Sequence, residues 1–169
     1  MLTLDASNKF INMEKLAVFP GSFDPFTIGH EALVWRALAI FDRIIIAVGH
    51  NTTKVTLFTI KDRLSMVREV FANEPRVEVV SYQGLTVDFC RGVGAKFLLR
   101  GLRTSADFEY ERAIGQVNKA MEPEIESVFL LTAAEHSPIN STIVRDVLVN
   151  GGDASQFIPR KIEIKKYLK

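Results

Sequence analysis

The run Ile44-Ile45-Ile46, inside Arg43 to Val48, constrains the fold most. Three consecutive β-branched residues leave no polar face for solvent, so a strand built on them must be covered on both sides. Leu16 to Phe19, Lys96 to Leu99 and Ser127 to Leu131 are further short runs of buried-strand character, and Arg76 to Tyr82 alternates like a strand. Between these runs the spacing is helical. Leu33, Ala37, Ile40 and Phe41 mark a helix within residues 30 to 41, and Leu64, Val67 and Phe71 mark another. The second is opened by Thr59 and Asp62, spaced like a capping box with Asp in place of Glu. Thr86 to Arg91 reads as a short helix closed by Gly92 and Gly94. Ser105 or Thr104 caps a helix from about Asp107 to Met121, and Asn140 or Ser141 caps one through Val149 that stops at Gly151-Gly152. Pro159 is expected to begin a last amphipathic, Lys-rich helix. Five strand–helix units with apolar strands predict an α/β fold: a single-domain, Rossmann-like, doubly wound parallel five-stranded sheet with helices on both faces.

The 169 residues suit one domain, and 21 Lys+Arg against 20 Asp+Glu leave a net charge of +1. That balance argues against a broad nucleic-acid-binding surface, not against a local cationic pocket. The single cysteine, Cys90, rules out an internal disulfide framework and a cysteine-rich zinc site. No apolar run approaches a membrane span, and a cytoplasmic protein is the default expectation. Residues 1–12 lack the apolar core of a secretory signal. They are expected to be a poorly ordered extension, the alternative being a short packed helix. Residues 13–169 then form the single domain, and Met13 is a candidate start.

In parallel sheets ligands bind beyond the carboxyl ends of the strands. After the first strand comes Pro20-Gly21-Ser22-Phe23-Asp24-Pro25-Phe26-Thr27-Ile28-Gly29-His30, which is neither a Walker loop nor a dinucleotide glycine fingerprint. His30 falls at a helix start, where free backbone N–H groups attract anions; it is either a donor to a phosphate or only a helix-start residue. Lys54 stands in the polar loop after the second strand. Arg100 and Arg103 flank Gly101-Leu102 after the fourth, and arginine forks fit phosphate oxygens. Asn140-Ser141-Thr142 precede a helix after the fifth. No paired Cys or His suggests a metal cage, and Ser22 has no evident base for acyl transfer. A histidine, a lysine, two arginines and two helix N-termini suit phosphoryl or nucleotidyl transfer.

Thr27-Ile28-Gly29-His30 matches the [TH]-x-G-H signature of a nucleotidyltransferase superfamily. With Pro20 to Pro25, Arg100-Gly101-Leu102-Arg103, Asp107-Phe108-Glu109-Tyr110-Glu111 and Glu126 to Leu130, in order and spacing, the chain resembles the bacterial phosphopantetheine adenylyltransferase family from about Lys15 onward. The resemblance implies transfer of AMP from ATP to 4′-phosphopantetheine by in-line attack without a covalent intermediate, giving dephospho-CoA and pyrophosphate in coenzyme A biosynthesis. It implies Mg²⁺ carried mainly by ATP phosphates and water, no nucleic-acid or membrane partner, and a cytoplasmic homohexamer. It further implies catalytic roles for His30, Lys54 and Arg103, His30 stabilising charge on the α-phosphate. Ser22, Lys54, Thr86 and Arg100 match acceptor-binding positions. Ser22, Phe23, His30, Gly101, Leu102, Arg103, Glu111 and the stretch His136, Ser137, Pro138, Ile139, Asn140, Ser141 and Thr142 match the ATP site. This last stretch departs from the family's usual Trp-Ser-x-Ile-Ser-Ser-Ser, with His136 in place of Trp. Glu111 is expected to meet ribose hydroxyls or a cation-linked water, the alternative being an ion pair with an arginine such as Arg112. The rival functions are an adenylyl- or cytidylyltransferase of the same fold with nicotinate mononucleotide or glycerol phosphate as acceptor, and a non-catalytic nucleotide-binding regulator.

Overall fold

The computed structural model describes residues 2–4, 10–12, 14–50 and 55–168, with side chains from residue 14 onward. Strands β1 (Leu2–Leu4) and β2 (Phe10–Asn12) pair antiparallel with each other, apart from the main sheet. The body then alternates β3 (Leu16–Gly21), α1 (Ile28–Ala37), β4 (Arg43–Gly49), α2 (Ile60–Phe71), β5 (Val77–Tyr82) and α3 (Thr86–Gly92). It continues with β6 (Phe97–Leu102), α4 (Ser105–Met121), β7 (Glu126–Leu131) and α5 (Ser141–Val149). Strands β3 to β7 form one parallel sheet in the order β5-β4-β3-β6-β7. The expected doubly wound α/β sheet is therefore the observed one.

Strand alternation sends Ala17, Phe19, Ile44, Ile46 and Val48 to one core, against Leu33 and Val34 of α1, Met66, Val67 and Val70 of α2 and Val144 of α5. Leu16, Val18, Ile45, Ala47 and Leu98 face a second core under Val87 and Cys90 of α3. Two buried faces explain why the central strands carry no polar alternation. Local signals set the helix starts. The Thr59 hydroxyl accepts from the Asp62 N–H at 3.1 Å while the Asp62 carboxylate accepts from the Thr59 N–H at 3.3 Å. Thr104 rather than Ser105 caps α4, and Asn140 rather than Ser141 caps α5, each accepting an N–H three residues on.

The expected helix from Pro159 is not formed. The C-terminal stretch is irregular, with a single 3₁₀ turn at Ile164–Lys166. Ile162 and Ile164 are both buried, and residues two apart cannot share a helix face. Packing both on the core outweighs the weak helical preference of so short a segment.

The sheet is not evenly knitted. β3 pairs with β4 along its whole length, from Leu16↔Arg43 to Gly21↔Val48. With β6 it pairs only at Ala17↔Phe97 and Val18↔Leu98. The strands between which the chain order reverses therefore part beyond Val18, and the carboxyl ends of β3 and β6 frame a gap.

Candidate active site

Two clefts meet at that gap. The wider, about 690 Å³, is bordered by Gly49 and His50 at the end of β4, Tyr82 to Gly84 at the end of β5, Thr86 at the start of α3, and Glu111, Ile114 and Asn118 of α4. The narrower, about 320 Å³, is bordered by Phe23, Gly29, His30, Gly101, Arg103, Thr132, Asn140, Ser141, Thr142 and Arg145. Pro20, Gly21, Ser22 and Arg100 border both. Arg100 spans the gap: its Nη1 donates to the Pro20 carbonyl at 2.9 Å.

His30 is held rather than merely present. The Thr27 backbone N–H donates to His30 Nδ1 at 3.0 Å, and the Thr27 hydroxyl lies 3.0 Å from the same nitrogen. A backbone N–H can only donate, so Nδ1 is the acceptor and carries no proton; in the neutral ring the proton sits on Nε2. Phe23 meets the imidazole edge-on at 5.1 Å and 89°, and the Phe26 ring centre lies 5.3 Å away. Burial, reinforced by the Arg103 charge, pushes the His30 pKa down to about 4. The ring is therefore a neutral Nε2–H donor at physiological pH. We expect long-range ¹⁵N–¹H correlation spectra to show that tautomer down to pH 5.5, with no titration near 6.5; a doubly protonated ring at pH 5.5 would contradict it. The unfolded chain takes up this proton below about 6.5 and the folded chain only near 4. The stabilisation is whole above that window and falls as pH drops through it, by at most about 3–4 kcal/mol.

The two arginines of Arg100-Gly101-Leu102-Arg103 are each gripped by a carboxylate of α4, one turn apart. Arg103 Nε and Nη2 donate to Asp107 at 3.0 Å each, and the Arg103 N–H donates to the same carboxylate at 3.0 Å. Burial opposes the Asp107 charge, yet these bonds and the Arg103 guanidinium hold its carboxyl below the usual range. Arg100 Nε donates to Glu111 at 2.7 Å and its Nη2 donates to the other Glu111 oxygen. Arg112 pairs instead with Glu109. Glu111 thus borders the wide cleft through Arg100, while His30 and Arg103 border the narrow one.

Other expected residues fall into place unevenly. A Cβ at Gly101 would meet Leu33 Cδ1 at 2.5 Å, so a side chain there has to displace the tip of that leucine. Leu102 is buried, its carbonyl accepting the Thr132 N–H at 2.7 Å. Phe23 is only 3% exposed and adopts a left-handed φ of 48°, folding its ring over Gly21 and against His30. His136, Ser137 and Pro138 border neither cleft; they form the turn that delivers Ile139 to Thr142 to the narrow one. The Ser141 hydroxyl donates to the Pro25 carbonyl at 2.9 Å, tying the α5 N-terminus to the loop after β3. Lys54 lies outside the described residues.

Sequence reasoning missed Asp24, Arg63 and Arg145. Arg145 borders the narrow cleft and donates to the Asp24 carbonyl at 2.6 Å and to Thr142 Oγ1 at 3.1 Å. Its position one turn into α5 after the Asn140 cap was the available signal. The narrow cleft thus gathers a neutral histidine donor, three arginines and the N-termini of α1 and α5 around one space. That arrangement suits a polyanion. Among the described residues no three His, Cys, Asp or Glu side chains are grouped to hold a metal.

Comparison with known proteins fits this geometry. The cytidylyltransferase-like family model matches residues 18–147. A phosphopantetheine adenylyltransferase of Flavobacterium psychrophilum is 51% identical over 88% of this chain and 98% of its own length. That of Bacteroides thetaiotaomicron is 48% identical over 88% of this chain and 97% of its own. A provisionally assigned nicotinate-nucleotide adenylyltransferase of Vibrio parahaemolyticus superposes with a TM-score of 0.64 over 88% of this chain and 96% of its own, at 18% identity, a likeness of fold. The matched stretch contains the [TH]-x-G-H segment, both arginines with their α4 carboxylates, and the α5 N-terminus, and on that span the chain belongs to the cytidylyltransferase-like family and, within it, to the phosphopantetheine adenylyltransferases.

Proposed function

We propose that the chain transfers the adenylyl group of ATP to 4′-phosphopantetheine, giving dephospho-CoA and pyrophosphate. The observation that carries this is the meeting of two clefts at Ser22 and Arg100, with His30 on the narrow side of the junction. We assign the triphosphate to the narrow cleft and the acceptor to the wide one, whose volume and mixed lining of Tyr82, Thr86, Ile114 and Asn118 suit a long arm with amide groups. The acceptor phosphate is already anionic near neutral pH and needs no general base. Its oxygen attacks the α-phosphorus in line, a new P–O bond forms, and the α–β bridging bond breaks to release pyrophosphate. The protein holds two polyanions in register and stabilises the equatorial oxygens. His30 Nε2–H and the N–H groups of the α1 N-terminus serve the α-phosphate, Arg103 the departing pyrophosphate, and Lys54 the acceptor phosphate. Asp107 and Glu111 are engaged by Arg103 and Arg100, so Mg²⁺ is assigned to the triphosphate and water rather than to a protein cage.

A pyrophosphate-release assay with and without 4′-phosphopantetheine tests the reading, with nicotinate mononucleotide and glycerol phosphate as competing acceptors and CTP as competing nucleotide. Release with another acceptor, or none with phosphopantetheine, would overturn it. Glu111→Gln tests the link between the clefts. Its two-point grip on Arg100 is lost, and we expect the acceptor KM to rise about tenfold, the scale of one charge-assisted hydrogen bond. Unchanged KM values for both substrates would show the pair to be only structural.

A homohexamer in the cytoplasm is the assembly and location we assign. Support for assembly lies in α4, which buries none of its residues and exposes Phe108, Tyr110, Val117 and Met121. Among the described residues no helix is long and apolar enough to cross a membrane.

A further inference from the structure

The buried face of α2 is formed by residues 63, 66, 67, 70 and 71, and its first member is Arg63, at a position where helical spacing calls for an apolar side chain. Arg63 is 2% exposed. Its Nη1 donates to two carbonyls, that of Ser22, just after β3, at 2.6 Å and that of Gly49, the last residue of β4, at 3.2 Å, and its Nε has no partner among the described residues. Burial lowers its pKa, and the charge of Asp24 offsets part of that. A buried cation with an unpaired donor is a poor way to stabilise a fold, because an apolar side chain of similar size avoids the desolvation.

What Arg63 does accomplish is geometric. The β3–β4 register ends at Gly21↔Val48. The carbonyls of Ser22 and Gly49 lie just beyond that pairing, and Arg63 bridges them where β3 and β4 cease to pair, while β4 runs on beside β5 to Gly49↔Tyr82. Both residues border the wide cleft, and Ser22 borders the narrow one as well. The Ser22 carbonyl belongs to the peptide joining Ser22 to Phe23. Because a trans peptide is planar, fixing that oxygen fixes the direction of the Phe23 N–H too. Phe23 then turns through its left-handed φ to brace His30. On the other side, the Gly49 carbonyl opens the loop that carries Lys54.

We infer that Arg63 is a positioning residue for the transfer reaction, setting the spacing between the loop after β3 and the loop after β4 so that the acceptor meets the nucleotide in line. This rests on the assignment of the wide cleft to the acceptor. The charge balance makes the role separable from folding. Without Arg63, Asp24 still faces Arg145 and accepts two backbone N–H groups, and Ser22 and Gly49 both border the wide cleft.

The test is steady-state kinetics of Arg63→Met and Arg63→Lys beside the wild type, with each substrate varied in turn and thermal unfolding recorded in parallel. Arg63→Met should unfold no earlier than the wild type and keep its KM for ATP, yet lose on the order of 100-fold in kcat/KM for 4′-phosphopantetheine, the scale of a displacement of about 1 Å. Arg63→Lys keeps the charge on a shorter stem and should lose less, with the same split between substrates. Wild-type kcat/KM in either folded variant overturns the inference. So does a loss shared equally by both substrates together with earlier unfolding. If Arg63→Met does not fold, that favours a structural role for the side chain, and the substrate split in Arg63→Lys decides. The wild-type arm tests the acceptor itself: failure to use phosphopantetheine overturns the assignment of function, whereas the ratio of variant to wild type addresses Arg63.

Discussion

Replacing His30 with alanine is expected to leave a folded, ATP-binding protein that turns over about 100 to 1,000 times more slowly, a loss of roughly 3–4 kcal/mol in transition-state stabilisation. The expectation comes from how the ring is fixed. Thr27 holds Nδ1 from the backbone, three phenylalanine rings surround the imidazole, and the remaining proton is on Nε2. Nothing need reorganise when charge shifts on the equatorial oxygens of the α-phosphorus, so the donor strengthens most at the transition state. The ring also stays a neutral, singly protonated donor across the working pH range, because burial lowers to about 4 the pKa at which it takes up a second proton. Truncation leaves the Thr27 N–H without its acceptor at the start of α1, which costs about 1 kcal/mol of stability. That loss is small enough for the variant to fold. Steady-state kinetics separate the outcomes. A fall in kcat with little change in the ATP KM is the expected result. A near-normal kcat with a raised KM would show that His30 only binds substrate.

The sequence shows this site unevenly, and the unevenness has physical causes. Features that depend on neighbours in the chain were legible. The Thr59–Asp62 capping box, the Asn140 cap, and the one-turn spacing of Asp107 and Glu111 are all set by local geometry, and all are formed. The double burial of the central strands was legible from Ile44-Ile45-Ile46 for the same reason. Features that depend on tertiary register were not. Glu111 pairs with Arg100 rather than Arg112 because α4 folds back along β6, which a helical wheel cannot show. The early parting of β3 from β6, which opens the site, leaves no mark on either strand's composition. The terminal segment misled because its lysines and isoleucines mimic an amphipathic helix, whereas Ile162 and Ile164 are both needed in the core. Asp24 looked like a loop residue beside Pro25. Its importance comes from partners more than thirty residues away.

Those partners make Asp24→Ala the change expected to damage the fold most. Asp24 is 1% exposed. Its carboxylate accepts the N–H of Leu57 at 3.0 Å and of Phe58 at 2.9 Å, and Arg145 Nη1 lies 3.5 Å from Oδ2. The loop after β4 is thereby pinned, at its far end, to the loop after β3, with Phe58 seated in the core at 2% exposure. Removing the carboxylate strands two backbone donors and takes away a negative charge that offsets Arg63 and Arg145. Breaking a buried ion pair by deleting one partner costs about 3–5 kcal/mol, far more than the pair contributes when intact. For a chain of this size the midpoint of thermal unfolding should fall by about 10–15 °C. Asp24→Asn retains one carbonyl oxygen but turns an NH₂ toward a backbone donor, so it should lie between alanine and the wild type. Transfer to the acceptor should suffer in the surviving folded fraction as well, because the loop carrying Lys54 loses its anchor. Thermal unfolding of the two variants checks the order. A shift of only a degree or two in Asp24→Ala would mean that the loops after β3 and β4 are held together by apolar packing around Phe58 and not by this carboxylate.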